Sequence, residues 1–107
     1  MSTVENTATV RVIAFWRAAP GRQEAVRQIL SELASATRRE PGCLRFEVLE
    51  AVDQPGSYVL LEQYAGGGGH AAHLATAHFR TLVLERAVPL LQHRDVHPYQ
   101  TLERQTA

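Results

Sequence analysis

The chain has 107 residues and equal numbers of basic and acidic side chains, 11 Lys plus Arg against 11 Asp plus Glu. This length is typical of one domain, so we expect residues 1–107 to form a single domain. A formal net charge of zero argues against nucleic acid as the main partner, because phosphate binding needs a basic excess. The N-terminus lacks signal-peptide features, and no apolar run reaches the roughly 20 residues that span a bilayer. One cysteine excludes an intrachain disulfide and fits a reducing, cytoplasmic location.

The hydrophobic periodicity changes several times along the chain, and each change marks a predicted element. Alternating apolar residues indicate strands, and apolar residues spaced three and four apart indicate amphipathic helices. Pro41-Gly42 ends one helix, and the glycine run 66–69 is expected to be a mobile loop. The predicted elements, in chain order, are a strand over Thr9–Arg17, a helix over Arg22–Arg39, strands over Cys43–Glu50 and Ser57–Tyr64, a short helix over His70–Thr76, another over Phe79–Leu91 and a strand over Val96–Leu102. Residues 1–8 are small and polar and are expected to form a flexible N-terminus.

The order of these elements predicts an α+β, ferredoxin-like fold, in which helices cover one face of a single antiparallel sheet. The other face then lacks cover. We place Trp16, Tyr58 and Leu60 on it, and large apolar side chains are rarely left together in water. A second copy that stacks sheet on sheet would bury them and enclose a cavity. The sequence therefore favours a homodimer.

Three histidines lie close together in the chain, and three interpretations of them stay open. His70 and His73 are one helical turn apart, and His78 follows. A metal site would need a third ligand, for which Glu62 is a candidate. A general base or proton shuttle needs only one histidine near a substrate, because imidazole titrates near neutrality. The histidines could also be exposed or capping residues without a chemical role. Of the two chemical roles, the sequence favours the base, and we predict no metal ligands.

Glu62 and Tyr64 lie on the same face of the predicted third strand. A carboxylate on a half-buried strand must be paired, hydrogen-bonded or protonated. Glu62 is therefore expected either to pair with Arg45 or Arg17 across the sheet or to line a cavity as a base. Tyr64 would either pack in the core or stack on an aromatic substrate while its hydroxyl donates a hydrogen bond.

The sequence contains no motif for a nucleotide or a flavin. It has no GxGxxG, GxSxG or HExxH, and the glycine run 66–69 lacks the Lys-Ser/Thr that completes a phosphate loop. Cys43 has no histidine nearby in the sequence to activate its thiol and is expected to be a small buried side chain. No bound cofactor is therefore expected.

From about Val10 to Leu102 the chain resembles the antibiotic biosynthesis monooxygenase family. The most specific parts are Glu40-Pro41-Gly42-Cys43, Glu62-x-Tyr64 and His73-Leu74-x-x-x-His78-Phe79. The resemblance implies a homodimer of ferredoxin-like folds, a dimeric α/β barrel like that of quinol monooxygenases. It also implies an enzyme that oxidises a small aromatic, quinol or polyketide-like substrate with O2 and without flavin, haem or metal.

The same resemblance suggests roles for individual residues. The expected catalytic residues are His73, His70 and Glu62, and the expected substrate-binding residues are Tyr64, Tyr58, Trp16 and His78. The family usually has Trp where this chain has Tyr64, and haem-degrading relatives have Asn where it has Ala14, which argues against haem. Two other functions stay open. The first is an isomerase or tautomerase of a small carbonyl compound or sugar phosphate, like the autoinducer-processing branch that residues 44–49 also resemble. The second is a ligand-binding dimer without catalysis.

Overall fold

The fold is a four-stranded antiparallel sheet with helices on one face, which confirms the predicted ferredoxin-like α+β arrangement. A computed structural model describes residues 9–102, so the predicted flexible N-terminus lies outside the described residues. The elements, in chain order, are β1 (Val10–Ala18), α1 (Gln23–Arg38), β2 (Cys43–Glu50), β3 (Ser57–Tyr64), α2 (Gly69–Leu74), α3 (Phe79–Ala87) and β4 (Leu91–Tyr99). α3 is a π-helix, and a single 3₁₀ turn, Val88–Leu90, joins it to β4. Within residues 9–102, no helix is long and apolar enough to cross a membrane.

β3 and β1 form the centre of the sheet, whose strand order is β2-β3-β1-β4. Alternate residues of β3 are buried, which puts Glu62 and Tyr64 on the same face as Tyr58 and Leu60. In the ladders on either side, Glu62 lies opposite Val12 of β1 and Phe46 of β2. A carboxylate thus stands in the middle of an apolar sheet face.

The core forms where this sheet face packs on α1 and α3. From α1 the buried residues are Val26, Ile29, Leu30, Leu33, Ala34 and Thr37, the stripe that the helical spacing predicts. α3 contributes Leu82, Val83 and Ala87. Each large side chain in this layer stabilises the fold by about 1.5–3 kcal/mol relative to an exposed one. Cys43 lies at the edge of the core and is half-buried, not fully buried as predicted; burial raises the pKa of its thiol.

The prediction for the two faces of the sheet is wrong. Trp16, Tyr58 and Leu60 lie on the face that the helices cover, and each is at most 3% exposed. The opposite face carries other apolar residues, of which Phe15 is 42% and Leu49 44% exposed. Both faces of β1 are apolar, so alternation alone does not say which set of side chains the helices bury.

The last two elements also differ from the prediction. The predicted helix over Phe79–Leu91 ends at Ala87, and Pro89 lies in the following 3₁₀ turn. β4 begins at Leu91, opposite Ala18, rather than at Val96. The segment 92–95 is polar and shows no apolar alternation, because β4 is an edge strand that is mostly exposed. An edge also tolerates proline within a strand, which explains why Pro98 pairs with β1.

Candidate active site

A small cavity lies between the covered sheet face and the helices. Its polar wall consists of Glu62, His70, His73 and Arg94. The rest of its wall is apolar and consists of Val12, Ala14, Trp16, Leu33, Phe46, Leu60, Leu74, Phe79, Val83 and Val96. The cavity measures about 30 Å³, which is room for one or two water molecules. Leu74 and Val96 are 47% and 39% exposed, so the mouth of the cavity lies between the end of α2 and β4.

Glu62 and Tyr64 form a hydrogen-bonded pair at the base of this cavity. The Tyr64 hydroxyl donates to Oε1 of Glu62 over 2.5 Å, and both residues are buried. Burial raises the pKa of Glu62 to about 7, although the hydrogen bond from Tyr64 and the charge of Arg94 act in the opposite direction. Burial and the adjacent Glu62 raise the pKa of Tyr64 well above its usual range. At neutral pH the pair therefore consists of a carboxyl group near its midpoint and a phenol that keeps its proton.

Two glycines bring α2 onto this pair. A Cβ added to Gly42 would lie 2.9 Å from Cα of Gly69, closer than real Cβ atoms approach. The chain between them also turns back through a hydrogen bond from Ala65 N to Gly42 O of 2.8 Å. The start of α2 therefore contacts the start of β2, backbone against backbone, which only glycine permits.

This close approach places two imidazoles beside the ring of Tyr64, that of His73 stacked on it and that of His70 tilted. The ring centroid of Tyr64 is 5.1 Å from that of His73 and 5.2 Å from that of His70. His73 is buried, whereas His70 is half-buried, and burial together with His73 lowers the pKa of His70. His70 is thus favoured as a neutral imidazole at the cavity wall.

Glu40 is a half-buried partner that the sequence analysis did not identify as a site residue. Its Oε2 accepts hydrogen bonds from Nδ1 of His73 at 2.8 Å and from Nε2 of His78 at 2.5 Å. Glu40 lies two residues after the end of α1 and directly precedes the Pro41-Gly42 stop. The sequence does show a carboxylate near the end of one helix and histidines on another. Pairing them, however, requires the position of α2 relative to α1, which the sequence alone does not give.

The structure brings some of the predicted site residues together and separates others. Glu62, His70, His73 and Trp16 line the cavity, with Tyr64 behind Glu62. His78 does not line it and is bound to Glu40. Tyr58 lies elsewhere, because its hydroxyl donates to the backbone oxygen of Gln23 at the start of α1.

The alternative in which Glu62 pairs with Arg45 or Arg17 is wrong. Arg45 forms an ion pair with Glu47, and Arg17 bonds to Ser57. Strand alternation turns both arginines to the open sheet face, away from Glu62. The cation that acts on Glu62 is Arg94 of β4, a residue the sequence analysis missed because it did not place a strand there.

Trp16 adds a polar atom to the apolar part of the wall. Its indole N–H is buried and has no hydrogen-bond partner among residues 9–102. Buried donors are nearly always paired in folded proteins, so an orphaned one beside a cavity is a candidate contact for a ligand. A water molecule or a substrate oxygen in the cavity would satisfy it.

These features define a small α+β protein with an acid–base pair buried in a cavity between sheet and helices. Residues 9–83 match the family model of antibiotic biosynthesis monooxygenases. The chain is 32% identical over 73 residues to the "Putative monooxygenase Rv0793" of Mycobacterium tuberculosis, covering 68% of this chain and 71% of the relative. The chain belongs to the antibiotic biosynthesis monooxygenase family.

Solved structures support the same assignment of the fold. The structure of Rv0793 from Mycobacterium tuberculosis superposes with a TM-score of 0.82 at 26% identity, covering 92% of this chain and 100% of that one. PA3566 from Pseudomonas aeruginosa superposes with a TM-score of 0.84 at 26% identity, covering 92% of this chain and 98% of that one. The ferredoxin-like fold is thus shared across nearly the whole described chain.

Proposed function

We propose that this protein oxidises a small electron-rich aromatic compound, such as a quinol or an anthrone, with O2 and without a bound cofactor. The observation that supports it most is the buried Glu62, hydrogen-bonded to Tyr64 on the cavity wall in a member of a monooxygenase family. A base with a pKa of about 7 is half ionised at neutral pH, which is the best compromise for taking up a proton and later returning it.

The proposed reaction begins with proton transfer to Glu62. Tyr64 occupies Oε1, so Oε2 takes the proton from a substrate hydroxyl or from the CH2 group of an anthrone. The resulting anion passes one electron to O2, and the two radicals combine to a peroxide on the ring carbon. Glu62 returns its proton to the outer peroxide oxygen, which gives a hydroperoxide. The second proton of the same carbon then leaves to Glu62 as the C=O bond forms and the O–O bond breaks, and it passes to the departing hydroxide to give water. Overall, one CH2 group and O2 give one carbonyl group and one water.

The other wall residues would hold the substrate for this step. The imidazoles of His70 and His73 line the cavity beside Tyr64, and an aromatic substrate ring would pack against them. The Trp16 N–H would donate to a substrate oxygen, and Arg94 would stabilise the negative charge that develops near the mouth. We propose Glu62 as the base because it lies in the cavity wall and its pKa is about 7; His73, whose Nδ1 is held by Glu40, would help to position the substrate.

The hydrogen-bonded pair of Glu62 and Tyr64 also favours one alternative function, an isomerase or tautomerase of a small carbonyl compound. Such a reaction needs a base and a nearby group that holds its proton, and Tyr64 keeps its proton because its pKa is raised. Only the dependence on O2 separates the two reactions, since each begins with proton transfer to Glu62.

We also propose that a second copy of the chain covers the open sheet face. Phe15 and Leu49 are exposed there, and Ile13, Val59 and Leu61 are only half-buried. Several charged groups around them are paired within the chain, such as Arg45 with Glu47 and His93 with Asp95. A self-complementary apolar stripe with a satisfied polar rim suits a twofold sheet-on-sheet contact.

The test of the proposed function is O2 uptake by protein freed of metals and cofactors, with hydroquinones, naphthols and anthrones as substrates. We expect uptake with quinone formation, and Glu62→Gln to lower kcat by at least about 100-fold, the usual contribution of a general base. Tyr58→Phe is the matched control, because it alters a buried tyrosine whose hydroxyl is bonded to the backbone of Gln23 and which does not line the cavity. Turnover that continues without O2 would favour the isomerase, and thermal stabilisation by the compounds without turnover would favour a binding protein.

A further inference from the structure

Glu40, His73 and His78 form a cluster in which three potential metal ligands meet. Oε2 of Glu40, Nδ1 of His73 and Nε2 of His78 lie within 4.8 Å of one another. Their side chains are 10%, 4% and 25% exposed. They come from three separate segments, namely the residues after α1, the helix α2 and the residue before α3. Two imidazole nitrogens and a carboxylate oxygen thus converge on one point between three segments of the chain.

We propose that this cluster binds one divalent transition-metal ion of the Zn²⁺ type. Two imidazole nitrogens and one carboxylate oxygen are a ligand set that Zn²⁺ and similar ions use, with water completing the coordination. Mg²⁺ and Ca²⁺ are disfavoured because they require mostly oxygen ligands. The sequence analysis considered the three histidines with Glu62 as a possible metal site and predicted no metal ligands; in the structure the ligand atoms that meet belong to Glu40, His73 and His78.

Side-chain rotations separate this cluster from a metal site, and they include bringing the two imidazole nitrogens, which lie within 4.8 Å of each other, to the spacing that an ion requires. Ligand atoms that are about 2.0–2.1 Å from a tetrahedral ion lie about 3.3 Å apart. The hydrogen bonds of 2.8 and 2.5 Å would therefore open by about 0.5–0.8 Å, within the range of side-chain rotation. Each ring must also carry its hydrogen on the nitrogen that faces away from the ion.

The surroundings of the cluster hold the ligands in place. Thr76 lies between the two histidines, donates to the backbone oxygen of His73 at 2.8 Å and accepts from the N–H of Phe79 at 3.1 Å. The ring of Phe79 meets that of His73 edge-on at 5.2 Å, and Phe46 lies on another side at 6.3 Å. Contacts that fix ring orientation and limit the access of water raise the affinity of a site for its metal.

This ion site is distinct from the proposed base. His73 belongs to both the cluster and the cavity wall, so a bound ion would lie behind the wall, whereas Glu62 and Tyr64 would remain free. The inference does not rest on the proposed function, because it concerns binding only. Loss of metal binding and loss of O2 uptake are therefore separately measurable results.

The test is titration of metal-free protein with Zn²⁺ by calorimetry and with Co²⁺ by visible absorbance. We expect one ion per chain and binding about 100-fold or more weaker in Glu40→Gln and in His78→Ala, because even indirect partners of a metal contribute 10–100-fold. His97→Ala is the matched control, since it removes an exposed histidine of β4 and should bind the ion unchanged. Far-UV circular dichroism confirms that each variant is folded.

A second measurement does not depend on variants. In ¹⁵N-labelled protein, Zn²⁺ should shift Nδ1 of His73 and Nε2 of His78 and leave the His97 ring unchanged. Wild-type binding no tighter than that of His78→Ala, or an equal loss in His97→Ala, would overturn the proposal. Zinc-induced shifts confined to other histidines would overturn it as well.

Discussion

The hydrogen bond from Tyr64 to Glu62 gives the most direct test of the site, through the substitution Tyr64→Phe. The bond measures 2.5 Å, is buried and is donated to a carboxylate. Hydrogen bonds to charged groups contribute about 1.5–3 kcal/mol. Each pH unit corresponds to 1.36 kcal/mol, so removal of this bond should raise the pKa of Glu62 from about 7 to about 8–9.

This pKa can be measured without a substrate, by ¹³C NMR of the side-chain carboxyl carbons of labelled glutamate between pH 5 and pH 10. The resonance of Glu62 is the one that is absent in Glu62→Gln. If Glu62 is the base, the pH at which activity rises should move upward by the same amount, since the ionised form is the active one. Tyr58→Phe removes a hydroxyl bonded to a neutral backbone oxygen and should leave the titration of Glu62 unchanged. A pKa of Glu62 that stays at or below about 7 in Tyr64→Phe would refute the reasoning.

Three further predictions concern stability and assembly. Folding raises the pKa of Glu62 from 4.5 to about 7, so the unfolding free energy of the wild type should fall by about 3 kcal/mol as the pH rises between these values. Glu62→Gln should not show this fall. If urea unfolding gave the same pH dependence for both proteins across pH 4–8, the prediction would be contradicted. Phe15→Lys should halve the mass measured by light scattering, because it puts a charge into the proposed dimer interface. Leu84 on α3 is similarly exposed, and Leu84→Lys should leave the mass unchanged. An unchanged mass in Phe15→Lys would exclude the sheet-on-sheet dimer. Gly42→Ala should lower the unfolding free energy by about 1–3 kcal/mol because its Cβ meets the backbone of Gly69, and an unchanged urea midpoint would contradict the contact.

The fold was largely predictable because its strongest signals are local. The bounds of β2 and β3 agree with the prediction, since a Pro-Gly pair directly precedes each strand. The prediction failed at β4, where an exposed edge strand needs no apolar alternation. The prediction also assigned Trp16 to the wrong face of the sheet, because two apolar faces of a strand are equivalent until a helix covers one of them.

The site was predictable in its residue types but not in its contacts. Glu62 and Tyr64 share a face by simple alternation, so their pairing follows from the strand. Glu40 and Arg94 were missed because their partners lie 33 and 32 positions away in the chain, at His73 and Glu62. Long-range ion pairs depend on how elements pack, and no periodicity encodes that.

The small size of the cavity has a consequence for the kinetics of binding. A space of about 30 Å³ holds no aromatic ring, so a ligand can bind only to a state in which Leu74 and its neighbours at the mouth have moved aside. If one molecule in about a hundred is open, the apparent Kd is about 100-fold weaker than the Kd of the open state. At high ligand concentration the observed binding rate would then level off at the rate of opening. Substitutions at the mouth that favour the open state would strengthen the binding of every ligand by the same factor, whatever its chemistry.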